Sequence, residues 1–97
     1  MVKLLPFLLV LVMLSCSQVL MVTEVKVAEY CEDMLFVSWT TSVDSKGLIE
    51  LCDDIQCYCT TREPEWGKLH SIVIPDVKKI KIITESRDGQ VVHYRIK

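Results

Sequence analysis

Residues 79–97 read KIKIITESRDGQVVHYRIK, two alternating runs on either side of Arg87-Asp88-Gly89. Asp-Gly between β-favouring runs is a strong short-range hairpin signal. The loop length decides which side chains share a face. With a three-residue loop, and Gly89 supplying the left-handed position of a bulge, Ser86 opposes Gln90. Thr84 then meets Val92, Ile82 meets Tyr94 and Ile80 meets Ile96 along one apolar face. Lys81 meets Arg95, Lys79 meets Lys97 and Ile83 meets His93 on the other. A two-residue Asp88-Gly89 turn would set Ile82 against Arg95 and Ile80 against Lys97, mixing the faces. Register follows the buried face, so the three-residue loop is expected.

Working upstream, similar short runs recur. Glu24–Val27 alternates, Met34–Thr41 is rich in aromatic and branched residues, and Leu48–Cys52 and Ser71–Ile74 follow. Asp44-Ser45-Lys46-Gly47 reads as a turn between two of them, and Glu63-Pro64-Glu65-Trp66-Gly67 as a loop. This spacing predicts a small, disulfide-rich, mainly antiparallel β-protein with a C-terminal hairpin over 79–97. One segment has two readings. Val27, Tyr30, Cys31, Met34 and Leu35 also fit the i, i+3, i+4 pattern, so a short helix near 27–35 competes with a strand–turn–strand.

The chain's beginning is read separately. Met1-Val2-Lys3 is a positive n-region, Leu4 to Leu14 is apolar apart from Pro6, and Ser15-Cys16-Ser17 supplies small residues before Gln18. This is the layout of a secretory signal peptide over 1–17, leaving a single domain over 18–97. A transmembrane anchor is the competing reading, but the run is too short to span a bilayer. A lipidated Cys16 is a further alternative that Met13-Leu14-Ser15 fits poorly. The expected location is therefore extracellular, with no membrane span after cleavage. No Asn occurs in the chain, so there is no N-glycosylation sequon.

Without Lys3 the mature chain carries ten bases and thirteen acids, a net −3. Gln18 to Trp66 holds ten acids against three bases, and Gly67 to Lys97 three acids against seven bases. Such polarity suits a protein whose two ends meet different partners. Overall acidity argues against a membrane-lytic cationic peptide and against nucleic acid.

Removing Cys16 leaves Cys31, Cys52, Cys57 and Cys59, an even count in a small secreted chain, which points to two disulfides. A core of this size is marginal, so bridges have a physical role. A Cys57–Cys59 bridge would close a very small ring, so Cys31 is expected to pair with one of these two and Cys52 with the other. In an extended segment Cys57 and Cys59 share a face, both able to bridge inward to the core, with Tyr58 opposite. A zinc set of Cys52, Cys57, Cys59 and His70 is disfavoured in an oxidising compartment. There is no C-x-x-C redox pair, and no thiol is left over as a nucleophile. Asp53 and Asp54 lack the regular oxygen spacing of a calcium loop and read as a turn in which Asp caps its own backbone. No metal, no cofactor and no catalytic residues are expected, since so short a chain lacks depth for a substrate pocket.

The segment leaving the cysteine cluster is the candidate functional loop. Cys59-Thr60-Thr61-Arg62-Glu63-Pro64 resembles the C-T-x-x-x-P opening of the Bowman–Birk inhibitor loop over six residues. Arg62 replaces the serine and the closing cysteine after the proline is missing. The resemblance implies a serine-protease inhibitor with Arg62 as its exposed basic residue. The residues themselves suggest a broader reading: a non-catalytic, toxin-like or effector protein, of the kind found in venoms, binding an extracellular receptor, channel or other host protein. A secreted structural or immune-recognition protein is a third alternative. The binding residues expected are Arg62, Glu63 and Trp66 in the loop, and Lys79, Lys81, His93, Arg95 and Lys97 on the hairpin, facing a protein target or an anionic surface.

Overall fold

The computed structural model describes residues 18–97, so the expected signal segment and Cys16 lie outside the described residues. Six strands follow in chain order: β1 (Val22–Cys31), β2 (Met34–Cys52), β3 (Cys57–Cys59), β4 (Gly67–Pro75), β5 (Lys79–Ser86) and β6 (Val91–Arg95). All pairings are antiparallel, and no helix occurs among the described residues. Segment 27–35 is thus strand–turn–strand. Glu32-Asp33 joins β1 to β2, with Asp33 at φ 62°, a left-handed position that aspartate tolerates better than most residues.

The fold turns on β2. Its first half pairs with β1 on one edge and β4 on the other; its second half pairs with β5 on the first edge and β3 on the second. Ser45 marks the changeover, opposing Gly67 of β4 on one side and Ser86 of β5 on the other. A register break against β4 between Thr40 and Ser45 accompanies it, as a bulge accompanies a bend. The sheet therefore curls so that the two halves of one strand face a common interior.

The expected turn at Asp44–Gly47 is instead strand. Val37, Trp39, Thr41, Ser45, Gly47, Ile49 and Leu51 are all buried, so the period-2 alternation runs through it. Ser45 imitates turn chemistry because it is an inward-facing hydroxyl. Gly47 imitates it for a different reason: a Cβ there would come within 2.6 Å of Cζ2 of Trp39. The indole of the first half lies against bare backbone of the second.

The hydrophobic core is Val37, Trp39, Ile49, Leu51, Ile74, Ile80 and Ile82, with Val22, Val25, Leu35, Ile72, Val77 and Ile96 packed around it. The hairpin has the register read from the sequence: Lys81 opposes Arg95, Ile82 opposes Tyr94, Ile83 opposes His93 and Thr84 opposes Val92. Gly89 sits at φ 90° and the Ser86 N–H donates to the Gln90 carbonyl at 2.9 Å, closing the three-residue loop. Gln90 reaches further. Its side chain accepts from Leu20 N (3.0 Å) and donates to the Gln18 carbonyl (3.1 Å), seating the buried Leu20. Ser42 at the bend completes this tie through Met21 N (2.8 Å) and the Val19 carbonyl (2.6 Å).

Candidate binding site

Between β3 and β4 the chain runs beside β2 without being a strand, and two residues clasp it there. The Thr60 N–H donates to the Ile49 carbonyl (2.9 Å) while its hydroxyl accepts from Ile49 N (2.9 Å). The Glu63 N–H donates to the Gly47 carbonyl (2.9 Å) while its Oε1 accepts from Gly47 N (2.8 Å). Side chains thus supply the edge hydrogen bonds that a strand would have made.

Glu63 Oε1 also lies 2.7 Å from Nδ1 of His70. His70 is buried, its ring stacked on Trp39 with centroids 5.1 Å apart. Nε2 meets the hydroxyls of Thr41 (3.1 Å) and Ser45 (3.2 Å), and Thr84 donates to Ser45 Oγ at 2.9 Å. In the tautomer whose Nδ1–H donates to the carboxylate, Nε2 is an acceptor for the Ser45 hydroxyl. Ser45, His70 and Glu63 therefore hold the order of an acyl-transfer triad. Access decides against that chemistry: Ser45 is 0% exposed, so no carbonyl can approach its oxygen. The arrangement works as a latch, fixing the 60–66 loop to the interior through Glu63. Of the expected binding residues, Glu63 is thus directed inward.

Its neighbours face outward. The register Gly67–Ser45–Ser86 places the residues beside those three together, from three elements. Trp66 receives Lys46 Nζ at 4.9 Å, Arg87 at 4.9 Å and Arg62 at 5.9 Å from its ring centroid, within the range of cation–π attraction. Arg62 also approaches Glu85 at 3.8 Å. Lys46 and Arg87 have no ion-pair partner among the described residues. Below this cluster a cavity of about 130 Å³ has Leu48, Ile83 and Val91 in its lining.

The basic hairpin face differs. Lys81 pairs with Glu50 (3.5 Å) and Lys97 with Asp76 (2.6 Å). Lys79, His93 and Arg95 lack such partners among the described residues. The face is partly neutralised by acids of the same chain.

Of the two pairings left open by the sequence, the one containing Cys52–Cys57 is half made: its first bridge is present and its second, Cys31–Cys59, is not. One bridge forms, Cys52–Cys57, and Cys31 and Cys59 are exposed thiols. Register explains this. Cys52 and Cys57 are directly opposed, while Cys31 stands against Met34 at the other end of β2. Cys57 and Cys59 do share a face, but Tyr58 opposes core-facing Leu51, so the cysteines lie on the outer side and cannot bridge inward. The loop leaving Cys59 is consequently held by Thr60 and Glu63 rather than by a disulfide. Asp53 forms the expected self-capping turn: its Oδ1 accepts from Ile55 N and Gln56 N, each at 2.8 Å. The N–H groups of Gln56 and then Ile55 hold its carboxyl below the ordinary aspartate range. Asp54 pairs with Lys78 at 2.9 Å.

Among the described residues no group of three or more His, Cys, Asp or Glu is placed to hold a metal, and no helix is long and apolar enough to cross a membrane. Compared with protein families, curated proteins and solved structures, the chain matches none. Sequence reasoning missed Lys46 and Arg87, which were assigned to turns, and the outward Leu48, Ile83 and Val91. Three apolar residues on an otherwise charged face were the available signal.

Proposed function

We propose that this is a secreted, non-catalytic effector or toxin-like protein that binds an extracellular protein target through the surface around Trp66. The observation that supports this most is the latched loop. Arg62 and Trp66 are displayed from a segment fixed at Gly47, Ile49 and His70, so little conformational freedom is lost on docking. Tryptophan and arginine are also the side chains that most often dominate interface energetics. The protease-inhibitor alternative draws less support: Arg62 is engaged with Glu85 and Trp66, and no disulfide frames its loop.

The test is a binding screen of the protein against an array of extracellular receptor and channel domains. Binding to at least one domain is expected, and Arg62→Glu with Trp66→Ala should weaken it at least about tenfold. Binding that ignores both substitutions, or no binding anywhere on the array, overturns the reading. Charge reversal at Lys79, Lys81, Arg95 and Lys97 should weaken the same interaction and flatten its salt dependence.

A further inference from the structure

The outer face of β2, β5 and β6 is charged along most of its length: Lys46, Glu50, Lys79, Lys81, Glu85 and Arg95. Leu48, Ile83 and Val91 interrupt it. Leu48 and Ile83 are directly opposed, Val91 opposes Glu85 one step along, and Val91 is 51% exposed. These residues help line the cavity of about 130 Å³, which is rimmed by Lys46, Arg62 and Glu85. Trp66 and Arg87 stand beside that rim, joined to Lys46 and Arg62 through the indole ring.

Two properties of the place select its occupant. The cavity is apolar at its floor and of a size for one aliphatic side chain. Its rim carries Lys46 and Arg62 with the carboxylate of Glu85. Arg87 stands beside it, near Asp44 and Asp88, and neither Lys46 nor Arg87 has an ion-pair partner among the described residues. Cation–π attraction to the Trp66 ring holds the three cations together despite their repulsion, and a guanidinium without an ion-pair partner, as in Arg87, is suited to a planar carboxylate. A purely polyanionic ligand would use the cations and leave the apolar floor wet. A purely apolar one would leave the cations unused.

We infer that this cavity takes an aliphatic side chain from an acidic segment of the protein target, with a neighbouring carboxylate of that segment received by Arg87 and Lys46. The inference rests on the protein-binding reading above and names the chemistry of the partner's contact segment.

The probe is a fluorescently labelled peptide with one leucine flanked on both sides by glutamates, followed by anisotropy. A second peptide replaces the leucine with serine, a third replaces the glutamates with lysines, and sulfated dextran serves as a polyanion. The leucine–glutamate peptide should bind about tenfold more tightly than the serine peptide, the effect of burying one aliphatic side chain. The lysine peptide should not bind. Val91→Asp and Leu48→Lys should each abolish the leucine advantage, and Arg87→Glu should weaken both glutamate peptides. Val91 is half-exposed, so its variant keeps the test valid if Leu48→Lys fails to fold. Equal binding of the leucine and serine peptides overturns the inference, as does sulfated-dextran binding that excludes the leucine peptide while Val91→Asp leaves it unchanged. Failure of every peptide, beside an array hit that depends on Arg62 and Trp66, overturns this inference and leaves the protein-binding reading standing.

Discussion

The interior of this protein has two ends made on different principles. At one end Val37, Ile49, Leu51, Ile74, Ile80 and Ile82 are branched hydrocarbons that need only fill space. At the other, Thr41, Ser45, His70, Thr84 and Ser86 are buried polar groups, among which Thr41, Ser45, His70 and Thr84 are joined by hydrogen bonds. Trp39 spans the boundary: its ring stacks on His70 and crosses Gly47, and its indole N–H meets no acceptor among the described residues. The apolar end supplies most of the driving force. The polar end supplies direction, because a hydroxyl or imidazole accepts few geometries when water is excluded. It is also the end that connects to the surface, through Glu63.

Substitutions can break that comparison. The largest effect belongs to the boundary itself: Trp39→Ala should cost about 3–5 kcal/mol in urea unfolding. A loss under about 1 kcal/mol would mean the two ends are independent. Gly47→Ala comes next. The new methyl meets the indole, and overpacking should cost about 1–3 kcal/mol, with near-ultraviolet circular dichroism reporting the displaced ring. A matched pair then separates the principles directly. Ile80→Val removes one carbon from the apolar end and should cost about 0.5–1.5 kcal/mol. Ser45→Ala removes one oxygen from the polar end and should cost about 1–3 kcal/mol, since Thr84 and His70 lose a shared partner. Equal costs would reduce the polar end to ordinary packing.

Glu63→Ala sharpens the connection to the surface. Amides of residues 61–63, 65 and 66 should exchange faster with solvent while those of β5 keep their protection. Target binding should fall even though Glu63 itself does not face outward. Uniform loss of protection across both regions would show that the loop is not a separately latched unit. The smallest effect is acidic. Asp53 is held low by the N–H groups of Gln56 and Ile55, and Asp88 by the Ser86 hydroxyl and then the Gln90 side chain. A carboxyl lowered on folding contributes stability that is present above its unfolded value and lost as pH falls through its folded one. Both turns should therefore be constant near neutrality and loosen below about pH 4. Asp53→Asn should flatten the first of these changes, read from the Ile55 and Gln56 amide shifts during an acid titration.

The hairpin was legible because its two faces differ so sharply that one register alone keeps the isoleucines together. The long β2 was not, for a physical reason. Sequence patterns equate buried with apolar, and Thr41, Ser45 and Gly47 are buried without being so. Their burial is licensed by partners far along the chain: His70, Thr84 and Trp39. Residues 63–66 do form a loop, in keeping with Pro64 and Gly67, but what holds that loop is not local in sequence. Its support comes from Thr60 and Glu63, which hydrogen-bond to Ile49 and Gly47 of β2. Arg62 and Trp66 were visible as types. Lys46 and Arg87 join them through the Gly67–Ser45–Ser86 alignment across three strands, which no local stretch encodes.

The chain holds two tryptophans, and their settings make the protein its own optical instrument. Trp39 is sealed in the interior against an imidazole, and Trp66 stands at the surface among cations. Trp39 should emit toward the blue and shift red on unfolding. Trp66 should respond when an acidic partner draws its lysine and arginines away. Replacing either one with phenylalanine leaves a single-wavelength reporter, so loss of structure and occupancy of the surface can be followed in the same cuvette as separate signals.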